Sequence, residues 1–127
     1  MCQVTYFQKA LELLKIVLED IKGNPVLFEL IARVCFIMEN FDKCVYYNKK
    51  AKELQPDNCY HNHSDIGLSY FRLAIKEGNA TWFDKAFKSC QEAIDMNPNY
   101  ANAHVNMGLI YKHQNNREDA MKAFEKA

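Results

Sequence analysis

The sequence predicts an all-α chain of helix hairpins stacked in tandem. Three observations carry that expectation. A pattern of small and large residues recurs along the chain, and junctions bearing Asn and Pro separate its copies. Gly (4) and Pro (3) are too few for a protein of strands and tight turns. The 127 residues suit about one domain. With 49% hydrophobic and 25% charged residues, the composition is that of a globular protein.

The junctions are Gly23-Asn24-Pro25, Gln55-Pro56-Asp57-Asn58 and Asn97-Pro98-Asn99-Tyr100. Between and after them Ala32 precedes Cys35, Gly67 precedes Tyr70, and Gly108 precedes Tyr111, each by three residues. Downstream come Cys44 and Ala51, Ala86 and Ala93, Ala120 and Ala127, each pair seven apart. Ala86 to Ala120 and Cys90 to Phe124 span 34 residues, whereas Cys44 to Ala86 and Pro56 to Pro98 span 42. A 34-residue unit explains both intervals if the middle copy carries about seven extra residues near 73–82 and one more after Pro56.

Each helix has its own signal. The first, about 3–21, shows an apolar stripe at Ala10, Leu14 and Val17-Leu18. Asn24 as cap and Pro25 at the first position start a helix over 25–38. Its partner runs over 42–54. Gly78 can close a helix over 61–77 in a left-handed conformation. Thr81-Trp82-Phe83-Asp84 reads as a capping box for 81–96. Helices over 101–113 and 117–127 complete the set. Small residues recur where hairpin helices approach closely, with large apolar residues three and four positions away on the same face. The seven extra residues are close to two helical turns, so they predict longer helices at 61–77 and 81–96 rather than a loose loop. Leu73, Ile75 and Trp82, the only Trp, would pack between these extensions.

The pattern resembles the tetratricopeptide repeat, a helix–turn–helix unit carrying W-x2-L-G-x2-Y, then A-x3-F, then a late Pro. The last copy matches best, with His104-x2-Met107-Gly108-x2-Tyr111, Ala120-x3-Phe124 and Ala127. The middle copy reads His63-x2-Ile66-Gly67-x2-Tyr70, Ala86-x3-Cys90, Ala93 and Pro98. The first reads Phe28-x2-Ile31-Ala32-x2-Cys35, Cys44-x3-Asn48, Ala51 and Pro56, with Asn48 where an aromatic is expected. The resemblance covers 25–127 and implies a right-handed α-solenoid. It divides the chain into a partial unit at 3–21, one repeat at 25–58, a second with the insertion at 59–100, and a truncated third at 101–127. Stacked repeats need caps. An array ending this way is expected to be a piece of a longer one, or to cover its end helices as a homo-oligomer.

The resemblance implies a non-catalytic scaffold or adaptor that takes a peptide or partner domain in a concave groove. The other reading is a regulatory or targeting segment of a larger enzyme. By repeat position the groove would be lined by Glu29, Arg33, Phe36 and Ile37, by His61, Asp65, Leu68 and Arg72, and by Asn102, Asn106, Leu109 and His113. Asn106 sits where some arrays grip a peptide backbone. The carboxylate clamp of chaperone adaptors does not fit, because its positions here are Glu29, Arg33, Asp65, Asn102 and Asn106. Two of these are acidic and would repel a carboxylate.

Other chemistry finds little support. No phosphate loop, G-x-S-x-G or H-E-x-x-H is present, and neither an enzyme nor a cofactor is expected. Cys59, His61 and His63 form the one candidate metal cluster, although C-x-H-x-H matches no standard zinc site. Lys+Arg and Asp+Glu number 16 each, which argues against a nucleic-acid partner. No apolar run approaches the roughly 20 residues of a membrane span. The charged start is unlike a signal peptide, so a cytoplasmic setting is expected, and Asn62-His63-Ser64 and Asn79-Ala80-Thr81 read as chance glycosylation triplets. Of the five cysteines, Cys35, Cys44 and Cys90 are expected in the core, and Cys2 and Cys59 at the surface.

Overall fold

Four asparagines set where helices begin. The side chain of Asn24 accepts the N–H of Val26 at 3.0 Å, Asn40 that of Lys43 at 3.5 Å, Asn79 that of Thr81 at 3.0 Å, and Asn116 that of Asp119 at 3.3 Å. Each satisfies one of the donors that a helix start leaves without a partner. The computed structural model describes residues 2–20 and 23–127, and the side chains of 5–17 and 23–127. Expectations for Cys2 and Leu18 therefore fall outside the described side chains. The helices are α1 (Cys2–Asp20), α2 (Pro25–Ile37), α3 (Phe41–Leu54), α4 (Tyr60–Glu77), α5 (Ala80–Met96), α6 (Ala101–His113) and α7 (Arg117–Lys126), with a 3-10 turn at Pro56–Asn58. No strand occurs among the described residues.

One cap differs from expectation. Helix α5 starts at Ala80 with Asn79 as its cap, not at Thr81 with a Thr–Asp box. Asn79 is extended (φ −105°, ψ 116°), which brings its side chain to the Thr81 N–H before Thr81 could act as cap. Gly78 closes α4 at φ 66°, a conformation that costs Gly little and other residues more.

Consecutive helices pack on one another from α1 to α7, and α4 also packs on α6. This is the pattern of an all-α solenoid. Small residues allow the close crossings. A Cβ on Gly67 would stand 2.5 Å from Cys90 Sγ and 3.1 Å from the Ala86 carbonyl oxygen. A Cβ on Gly108 would stand 2.5 Å from the Phe124 ring. Ala86, Cys90 and Ala93, expected as core marks, are wholly buried.

Two apolar clusters form the core. One joins Ile31, Ala32, Cys35 and Cys44, with Leu11 and Leu14 of α1 packed against it. The other joins Phe71, Ala86, Cys90, Met107, Ile110 and Ala123. Between them, where α3 meets α4, runs a buried polar seam. Asn48 and Asn62 expose only 2% and 0% of their surface. The Asn62 amide donates to Asn48 Oδ1 at 3.2 Å, and the Asn48 amide donates to the Cys44 carbonyl at 3.2 Å. Gln55 Nε2 donates to Asn62 Oδ1 at 3.1 Å and to Glu29 Oε1 at 2.6 Å. Ser69 Oγ donates to the Asp65 carbonyl at 2.9 Å. No described buried side-chain N or O lacks a partner. The seam is tolerable for that reason, since an unpaired buried amide costs about 1–3 kcal/mol.

The longest hairpin is α4–α5, with 18 and 17 residues against 13 and 14 in α2–α3. Trp82 is half-buried at its tip. Its ring stacks on Tyr70 at 5.4 Å, and its indole N–H donates to Glu77 at 2.7 Å. Leu73 is buried as expected. Ile75 is not: it faces outward and is 48% exposed, because two residues beyond Leu73 the helix turns it off the packed face. In α7, Ala120 and Ala123 are buried, and Met121 and Phe124 carry its exposed apolar surface.

Candidate functional site: a concavity between α2 and α4

The first helices of neighbouring pairs do not pack alike. Asn106 on α6 donates to the carbonyl of Ser64 at 3.2 Å and to its hydroxyl at 2.9 Å, clasping α6 to α4. Ser64 is small and wholly buried, so the two backbones can come close. Between α2 and α4 the facing residues are Glu29, Arg33 and Phe36 against His61, Asp65 and Leu68, all large. These helices stand apart, and a concavity of about 190 Å³ opens between them. Its floor is Cys44 and Asn48 of α3. An aromatic at position 48 would project toward this space, and Asn48 leaves it open.

The mouth is charged. His61 Nε2 lies 2.9 Å from Glu29 Oε1, which also receives Gln55, so Glu29 is fixed at one wall. Arg33 and the Asp65 carboxylate have no hydrogen bond or ion pair within 4 Å among the described residues. The crowding of protein around its carboxyl pushes the Asp65 pKa up from 3.8 to about 6, with Glu29 adding to the rise and His61 and Arg33 opposing it. Asp65 as a whole residue stays open to solvent, and water at the mouth limits that shift. Phe36 and Leu68 supply the apolar wall.

Six of the groove residues expected from repeat position, Glu29, Arg33, Phe36, His61, Asp65 and Leu68, thus line one cavity. The others are placed differently. Arg72 lies over the rings of Phe36 (5.7 Å) and Phe41 (5.2 Å) and pairs with Glu39 at 3.7 Å, beside the cavity. Ile37 is exposed, while Leu109 packs against the second core cluster. Asn102 donates to the Tyr100 hydroxyl at 3.2 Å. His113 stacks on Phe83 at 5.0 Å. Asn106 is spent on Ser64 and has no amide donor left for a peptide. The floor residues Cys44 and Asn48 were not foreseen as lining, although the missing aromatic at position 48 was their visible signal.

Cys59, His61 and His63 do not converge. Cys59 Sγ bonds the Pro56 carbonyl at 3.3 Å, His61 faces Glu29, and His63 Nδ1 faces Glu92 at 3.1 Å. No group of three or more His, Cys, Asp or Glu able to hold a metal occurs among the described residues. Cys59 is buried, contrary to expectation, because Met96 of α5 covers it at 3.7 Å. Burial raises the thiol pKa of Cys35 and Cys59, that of Cys44 to about 11, and that of Cys90 to about 12, so none is poised as a nucleophile. Asn62, the acceptor of the first glycosylation triplet, is wholly buried. No helix among the described residues is long and apolar enough to cross a membrane.

Residues 101–127 match the family described as "Tetratricopeptide repeat". The chain as a whole has the fold of solved proteins of that kind. TTC0263, a thermophilic TPR protein of Thermus thermophilus, superposes with a TM-score of 0.82 at 19% identity, over 98% of this chain and 66% of that one. A crystal structure of MamA gives 0.77 at 19% identity over 98% and 68% of the two chains. A second MamA structure, from MSR-1, gives 0.72 at 21% identity over 98% and 67%. The chain spans about two thirds of the length of these structures. No curated protein matches it in sequence. Residues 101–127 thus match a tetratricopeptide repeat, and the chain as a whole has the all-α solenoid fold of these solved proteins.

Proposed function

We propose that the chain is a non-catalytic scaffold, and that the α2–α4 concavity receives a side chain of a bound peptide. The division of the chain at 25–58, 59–100 and 101–127 belongs to the same reading. One observation carries it: an open cavity whose Arg33 and Asp65 make no hydrogen bond or ion pair among the described residues, while Phe36 and Leu68 offer apolar contact. The guanidinium and the carboxylate can each hydrogen-bond a peptide backbone or polar side chain, and the crowding that already surrounds the Asp65 carboxyl leaves less water to strip from it. The gap between α2 and α4 supplies the room that the α4–α6 junction lacks.

The test starts from random peptides selected on the immobilised protein. Enriched peptides should lose about tenfold or more in affinity for an Arg33→Ala/Asp65→Ala variant, the cost of about 1.4 kcal/mol of lost contacts. Unchanged affinity would sink the assignment of this cavity. The same scaffold is read as self-associating through its end helices, α1 and α7, which present exposed apolar side chains.

A further inference from the structure

The charges of this neutral chain are not evenly spread. Lys49 and Lys52 of α3 and Lys85 and Lys88 of α5 border one cavity of about 280 Å³, away from the α2–α4 concavity. Its floor is α4, through His63 and Tyr70. The ammonium groups of Lys49 and Lys85 come from opposite walls, and each lies 5.9 Å from the centre of the Tyr70 ring. Lys85 also sits 4.7 Å over Trp82. None of the four lysines has an ion pair among the described residues. The only carboxylate in the lining is Glu92, and His63 lies against it at 3.1 Å. Four like charges thus face a shared trough against the single carboxylate of Glu92, and an anion placed there relieves their repulsion.

We propose that this trough is a second docking surface, one that binds an acidic segment of a protein partner. Lys49 and Lys52, like Lys85 and Lys88, are three residues apart on a helix, a rise of about 4.5 Å. In an extended peptide successive side chains point to opposite sides, so alternate residues, about 6.6 Å apart, can turn to one wall and the residues between them to the other. The stacked Tyr70 and Trp82 rings at one end add an aromatic surface for the segment's apolar atoms. A nucleic acid fits less well, because strong binders neutralise about 6–10 phosphates and this trough offers four lysines in a chain of zero net charge. A single small anion would leave most of the trough empty.

The probe is acetylated octaglutamate, titrated by calorimetry and by the emission of the lone Trp82. Saturable binding is expected, weakening steeply as salt rises. Lys49→Glu/Lys52→Glu, on the wall remote from Trp82, should weaken it about tenfold or more, whereas Lys112→Ser, at an exposed lysine of α6 outside both cavities, should leave it unchanged. Lys49→Ser/Lys52→Ser, with helicity checked by circular dichroism, repeats the test without introducing new charge. Equal binding by the wild type and both double variants overturns the proposal, as does the lack of any saturable signal at low salt. Tighter binding of a short DNA duplex, or of phosphatidylserine vesicles, at equal anionic charge would overturn the assignment to a protein partner.

Discussion

Asp65 shows how a single residue couples site and stability. Its raised pKa means that the folded chain holds a proton that the unfolded chain has released between about pH 4 and pH 6. Stability therefore falls as pH rises through that window, and the full penalty remains above it. Asp65→Asn should stabilise the protein at pH 7 by about 1 kcal/mol, a value reduced from the unscreened shift because water reaches the mouth. Below pH 4 the variant and the wild type should be alike. Urea unfolding at the two pH values measures this, and a variant less stable at pH 7 would show that the carboxylate is paired. His63 works in the opposite sense. Burial and Lys52 lower its pKa against the pull of Glu92, so stability begins to fall once pH drops below the unfolded value of about 6.5 and goes on falling toward the lower folded pKa.

Residues whose meaning depends on distant partners were the hardest to read from sequence. Asn106 looked like a ligand-gripping residue because its repeat position says so. Only the fold brings Ser64, 42 residues away, into reach of its amide. Asn48 stood out as a missing aromatic, but its bond to Asn62 and the cavity above it depend on how α3 meets α4. Glu29, Arg33, Asp65 and Leu68 were legible because repeat position fixes which face of a first helix they occupy, and that face is a local property.

At the scale of elements, the long hairpin follows from arithmetic on the period. The extra residues expected there, close to two whole turns, would extend both helices without rotating the faces that pack on their neighbours. The signals that placed helix ends were local as well: Asn24-Pro25, Gly78 and the Asn97-Pro98 junction. Local competition sets the start of α5, since Asn79 and Thr81 are both good caps and only backbone conformation decides between them. The packed tip has a spectroscopic consequence. Trp82 stacks on Tyr70 and bonds Glu77, so its emission should be blue-shifted from that of the unfolded chain, and Tyr70→Ala should move it back toward red. A water-like emission maximum in the folded wild type would mean that the tip is not packed.

The whole molecule is a row of neighbours in contact, with two apolar clusters and a polar seam between them rather than one continuous core. Such arrays draw stability from each interface in turn. Helix α1 shows Tyr6, Leu13 and Ile16 at 71%, 64% and 59% exposure, and α7 shows Met121 at 63%. Surfaces of this kind favour association, so sedimentation should give a mass that rises with concentration. A constant monomer mass across the accessible range would contradict self-association through the ends.

The proposed scaffold function rests on the α2–α4 concavity, and amide chemical shifts would read it residue by residue. A peptide selected on the wild-type protein, added to the labelled chain, should perturb Glu29, Arg33, Phe36, Asp65 and Leu68 most strongly and leave Asn106 and Ser64 nearly unmoved. Perturbations centred on any other face, with the α2–α4 residues unchanged at saturation, would contradict the account.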